Sequence, residues 1–154
     1  MYLYRRIAAD SQLAFRAGLP TRWANDPLLR RFSSHLDLIQ ELRSSSALAD
    51  ELTVTLVQEG TPEASLLLVH ASTPLVLGWT KRDWGYFDDV VVEVAIVVGE
   101  LRLEEELEFK RRPLHCMVDL AADRVRKRRV RSRDLEPIPD HDPAWDRPCQ
   151  VPDR

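Results

Sequence analysis

Two hydrophobic periods divide the chain. In residues 1–50 apolar positions recur at three- and four-residue spacing. Leu3, Ile7, Leu13, Ala14 and Phe15 mark a first helix over residues 3–17, stopped by Gly18 and Pro20. A second helix is predicted from Asp26 as N-cap, with Pro27 at its first position. Leu28, Leu29, Phe32, Leu36, Ile39 and Leu42 continue it at the helical period, with Arg30, Arg31, Asp37 and Glu41 on its other faces. Ser44, Ser45 and Ser46 close it in a loop too short to detach a domain.

From Leu52 the period becomes two. Leu52, Val54 and Leu56 alternate with Thr53, Thr55 and Val57, and Gly60-Thr61-Pro62 reads as a turn. Residues 66–71 and 75–80 predict two further strands separated by Ser72-Thr73-Pro74. Residues 90–98 form a β-branched run that fits a central strand buried on both faces. Gly99 would turn this run into a hairpin with residues 100–110. There Leu101, Leu103, Leu107 and Phe109 alternate with Glu100, Arg102, Glu104, Glu106, Glu108 and Lys110, and only Glu105 breaks the pattern. Residues 114–131 fit two templates. Leu114, Cys116, Val118 and Leu120 alternate as in a strand, whereas Met117, Leu120, Ala121, Arg124, Val125 and Arg128 fit a helix. The strand is the favoured reading. The expected fold is therefore α+β: N-terminal helices (residues 1–50) packed on a largely antiparallel β-meander (residues 51–133), forming one domain. A proline-rich extended tail, residues 134–154, follows, with Ile138 and Trp145 as its anchors.

Composition limits the function classes. At 154 residues the chain is long enough for one domain with a real core. A net charge of −3 does not suit binding of polyanions by bulk charge, so any electrostatic function is local. Cys116 and Cys149 do not make a disulfide framework or a zinc motif. No apolar run approaches the ~20 residues that span a bilayer, and the first residues lack a signal-peptide core. A cytoplasmic protein is expected, and a virion component would read the same way. Arginine outnumbers lysine 19 to 3, and Asn25 is the single asparagine, a bias that points to a GC-rich gene.

Three constellations could carry chemistry. The basic segment Arg124, Arg126, Lys127, Arg128, Arg129, Arg131 and Arg133 could bind an anion, with Arg124, Arg126, Arg128, Arg129 and Arg131 as the candidate contacts. The competing reading pairs these arginines with Glu100, Glu104, Glu106 and Glu108 on a neighbouring strand. An aromatic and basic loop, with Trp79, Lys81, Arg82, Trp84, Tyr86 and Phe87, is the candidate partner-binding surface. Its plain alternative is that Trp79, Trp84 and Phe87 close one end of the core. Glu108-Phe109-Lys110, after an upstream aspartate, resembles the ExK element of the PD-(D/E)xK nucleases over three residues, and glutamates two apart on a surface strand are ordinarily a solvated face. Asp140-His141-Asp142 could catch a metal, but such surface trios are ordinarily inert.

No Gly-rich phosphate loop, nucleophile elbow or HExxH motif occurs, and no cofactor or metal is expected. The expected function is a non-catalytic protein–protein interaction or assembly module of the adaptor, inhibitor/immunity or phage-assembly kind. It would dock a protein partner or a second copy through a charge-polarised sheet and the aromatic loop, with no role for a membrane. The alternatives are a small-ligand or enzymatic domain with a pocket between helices and curved sheet, and a nucleic-acid binder using residues 124–133.

Overall fold

Three small polar residues and one glycine decide how the middle of the chain folds. Ser46 caps a helix by accepting the Ala49 N–H at 3.0 Å, and Gly60 ends that helix in the left-handed region at φ 70°. Thr61 then accepts the Ala64 N–H at 3.2 Å, and Pro62 opens the next helix. Asp83 does the same for the helix after that, accepting the Tyr86 N–H at 3.1 Å. Each cap satisfies a backbone group that a helix end leaves unpaired. The serine run and Gly60-Thr61-Pro62 are thus helix boundaries, whereas Ser72-Thr73-Pro74, expected to separate two strands, lies inside a helix.

The computed structural model describes residues 2–104 and 111–135. Among them are six α-helices, α1 Tyr2–Gly18, α2 His35–Arg43, α3 Ala47–Glu59, α4 Pro62–Thr80, α5 Trp84–Glu104 and α6 Pro113–Leu135, and no strand. Two short 3-10 turns, Trp23–Asn25 and Leu29–Arg31, lie between α1 and α2. α4 is the hub and touches each of the other five helices. Its burial accordingly wraps round it, through Ala64, Leu67, Leu68, Val69, Ala71, Ser72, Thr73, Val76 and Thr80.

This corrects the α+β expectation, the antiparallel sheet and the charge-polarised strand face. Leu52 and Leu56 fit both a period of two and a helical i, i+4 step. The buried set of α3, Ala49, Leu52, Thr53, Leu56 and Val57, is the helical one. The β-branched run of α5 was the strongest strand signal. A valine costs about 0.5 kcal/mol in a helix relative to the best formers. Burying its side chain stabilises by roughly 1.5–3 kcal/mol. Val90, Val91, Val94, Val97 and Val98 are all buried at helical spacing, so packing decides. Gly99, expected to turn a hairpin, sits exposed inside α5. Residues 114–131 adopt the helical alternative, burying Leu114, Met117, Val118, Ala121, Ala122 and Val125.

The N-terminal helices are nearer to expectation. α1 matches residues 3–17 closely. Gly18 is needed for close approach, because a Cβ there would lie 2.5 Å from the Trp23 ring, which is itself buried. Asp26 does cap, accepting the Leu28 and Leu29 N–H groups at 2.9 and 3.1 Å, but the turn it starts is short. The chain extends at Phe32, and α2 begins only after Ser34. Residues 105–110 and 136–154 lie outside the described residues, and with them the Glu108-Phe109-Lys110 element, the Asp140-His141-Asp142 trio, Cys149 and the tail anchors.

Candidate functional site

α5 is apolar on nearly every side, yet one face meets solvent. Val92 and Ile96 are 54% and 46% exposed, and Ala95 and Gly99 beside them are exposed as well. These positions, at i, i+3, i+4 and i+7, form one stripe. Val92 and Ile96 also line a groove of about 370 Å³ between α5 and α6, with Asp89, Glu93, Val125, Arg128 and Arg129.

Charges border the stripe on the α6 side. Glu93, buried in the middle of α5, holds Arg128 Nη2 at 2.6 Å and Arg124 Nη1 at 3.2 Å. Arg124 reaches on to Glu100 at 2.7 Å, which keeps the Glu100 carboxyl below its usual range and raises the guanidinium. Arg129 pairs with Asp89 at 2.9 Å and lies over the Tyr86 ring, 4.3 Å from its centroid. Arg126 and Lys127 both engage Asp123, whose carboxyl is lowered chiefly by the hydrogen bond from Lys127. Arg131 is exposed. The acidic partners of the basic segment are thus Asp89, Glu93 and Glu100 along α5, with Asp123 within α6 itself. Of the acidic row expected on a strand, Glu100 takes part, and the side chains of Glu104, Glu106 and Glu108 are outside the described set.

The aromatic candidates do not gather into one patch. Phe87 is fully buried. Trp84 stands edge-on to Phe87 at 5.3 Å and to Tyr4 of α1 at 6.0 Å. Trp79 donates from Nε1 to Asp119 of α6 at 3.0 Å. Tyr86 faces Arg129, and Lys81 and Arg82 are exposed in the α4–α5 turn, both at positive φ. Four aromatics close in sequence therefore serve three different contacts, because Trp79 belongs to α4 and, along α5, helical geometry turns successive residues by about 100°.

A second polar cluster was not visible in the sequence. Ser11 of α1 is fully buried, and its Oγ lies 2.8 Å from His35 Nε2 and 3.0 Å from His70 Nδ1. The two imidazoles stack with centroids 5.3 Å apart at 14°. Arg43, at the end of α2, donates to the carbonyls of His70 and Ala71 at 2.9 and 3.2 Å and to Thr73 Oγ1 at 3.2 Å. Burial, then Arg43, then His35 push the His70 imidazole down to about 4, and burial and Arg43 lower His35 too. These residues are 24 to 59 positions apart, so no local motif announces them. The one available signal was His70, the lone titratable side chain among apolar and neutral residues from 64 to 80. No group of three or more metal-ligating side chains occurs among the described residues, and no described helix is long and apolar enough to cross a membrane.

Compared with family models, with curated proteins and with solved structures, the chain matches none.

Proposed function

We propose that this chain is a non-catalytic assembly module that pairs with a second copy of itself through the exposed face of α5. The observation that carries the reading is that stripe: two large aliphatic side chains and two small residues left in solvent on a helix whose other valines, Val90, Val91, Val94, Val97 and Val98, are buried. Exposed apolar patches with a polar rim mark interaction sites. The small pair Ala95 and Gly99 lets a facing helix approach closely, and the α5–α6 groove can receive an aliphatic side chain from it.

Charge favours a second copy as the occupant. Asp89 with Arg129 lies toward one end of the stripe, and Glu100 with Arg124 toward the other. An antiparallel pair of α5 helices, related by a two-fold axis near Ala95 and Ile96, brings the first end of one copy to the second end of the other. Each end then gathers two carboxylates and two guanidiniums, with no unbalanced sign. The same pairing supports a protein surface over nucleic acid, since Arg124, Arg126, Arg128 and Arg129 already hold carboxylates.

Size-exclusion chromatography with light scattering tests this at ~100 µM, a concentration that populates even a weak dimer. The expected mass is about twice 17.8 kDa, falling to 17.8 kDa for Ile96→Lys with unchanged helical circular dichroism. A wild-type mass of 17.8 kDa at that concentration rejects the proposal.

A further inference from the structure

We propose that Ser11, His35 and His70 form a proton-operated latch that holds α2 on α1 and α4 at neutral pH and releases it on acidification. Both ring nitrogens face Ser11 Oγ, at 2.8 and 3.0 Å. A serine hydroxyl has one proton to give, so it donates to one ring and accepts an N–H from the other. The first ring must be bare at its inner nitrogen. The second must carry its proton there.

That arrangement is complete when both imidazoles are neutral. It also survives one added proton, which goes to the outer nitrogen of the donating ring. It does not survive two. The accepting ring can take a proton only at the nitrogen that receives the Ser11 hydroxyl. Both rings would then donate to one oxygen, and the hydroxyl proton of a fully buried serine would lose its acceptor. The same step places two like charges on stacked rings 5.3 Å apart.

The surroundings offer no relief. The charged groups that act on His70 are Arg43 and His35, and on His35 it is Arg43, all of them cationic or able to become so. α1 contributes the Ser11 hydroxyl and Tyr4, which acts on Arg43. Asp10, beside Ser11, is engaged by Arg6 at 3.2 Å. α4 brings no titratable group other than His70 between residues 64 and 80. The depressed basicity of both rings is consistent with this setting.

α2 is the element that yields. It has nine residues, too few to be stable alone in water. Its polar anchors are its first and last residues, His35 and Arg43, and both engage α4 near His70. Release would uncover the apolar face formed by Leu38, Ile39 and Leu42.

Amide hydrogen exchange at pH 7.5 and 4.5, corrected for intrinsic rates, tests the latch on the full chain. The expected result is a loss of protection at residues 35–43 at the lower pH at least tenfold greater than that of the other helices. His70→Gln replaces a titrating ring with a neutral side chain and should retain the pH 7.5 protection at pH 4.5. Should that variant fail to fold, imidazole nitrogen shifts of the wild type provide the second readout, with His35 and His70 titrating as α2 signals change. Unaltered α2 protection while both rings titrate overturns the proposal. Uniform loss across all helices overturns it as well, as does equal release in a folded His70→Gln protein.

Discussion

Pro74 lies inside α4 and cannot donate to the carbonyl of His70, four residues back. That carbonyl is instead satisfied by Arg43 Nη2 at 2.9 Å and by Thr73 Oγ1 at 2.8 Å. Arg43 therefore stands in for the hydrogen bond that proline removes. Arg43→Ala should destabilise the protein by about 2 kcal/mol. A hydrogen bond from a charged group contributes roughly 1.5–3 kcal/mol, and the partly exposed site lets water recover some of the loss at the three acceptors. In a Pro74→Ala background, residue 74 regains its N–H and serves the His70 carbonyl itself. The same arginine substitution should then cost about 1 kcal/mol less. Urea denaturation of the wild type, the two single variants and the double variant measures this coupling directly. In thermal melts Arg43→Ala should lower Tm by roughly 4–8 °C for a domain of this size. Additive effects within ~0.3 kcal/mol would refute the substitution of Arg43 for the missing backbone donor.

Other consequences are equally measurable. Gly18→Ala forces a Cβ to within 2.5 Å of the buried Trp23 ring and should cost about 1–3 kcal/mol in chemical denaturation. Lys81→Gly should stabilise by about 0.5–1 kcal/mol in the same assay, because Lys81 holds a left-handed φ of 51° at the end of α4. Stability should also fall on acidification. His70 titrates near 6.5 in the unfolded chain and about 4 in the folded one, so the unfolded state takes up its proton first. Its contribution is present above pH 6.5 and is lost as pH falls towards 4. The whole interval corresponds to roughly 3 kcal/mol, and solvent screening of a partly exposed ring reduces that to about 1–2 kcal/mol. A urea midpoint unchanged between pH 7.5 and 4.5 would contradict this.

α1 and the later half of the second predicted helix were legible because polar residues break their apolar pattern. The rest misled for a physical reason. α4 and α5 are apolar on most sides, so neither carries a clear period, and valine-rich runs imitate buried strands. The decisive signals were short: Ser46, Gly60, Thr61-Pro62 and Asp83, each a helix boundary that also reads as a turn. Charge spacing held a further clue. Asp89, Glu93 and Glu100 are four and seven apart, and Arg124 and Arg128 four apart, which places each set on one helical face. The basic segment was visible as a segment, but its partners on α5 became clear only once α5 was a helix. The Ser11, His35 and His70 cluster depends on three distant helices meeting, which no local pattern encodes.

Disulfide trapping at the α5 stripe tests self-pairing most directly. With Cys116→Ser and Cys149→Ser as background, Ala95→Cys places a thiol beside the proposed two-fold axis, where its symmetry mate falls within bridging distance. Mild oxidation should yield a covalent dimer of about twice 17.8 kDa, while a control cysteine at exposed Leu13 yields none. An Ala95→Cys protein that remains at 17.8 kDa, or that cross-links no better than the Leu13→Cys control, would contradict the α5 interface.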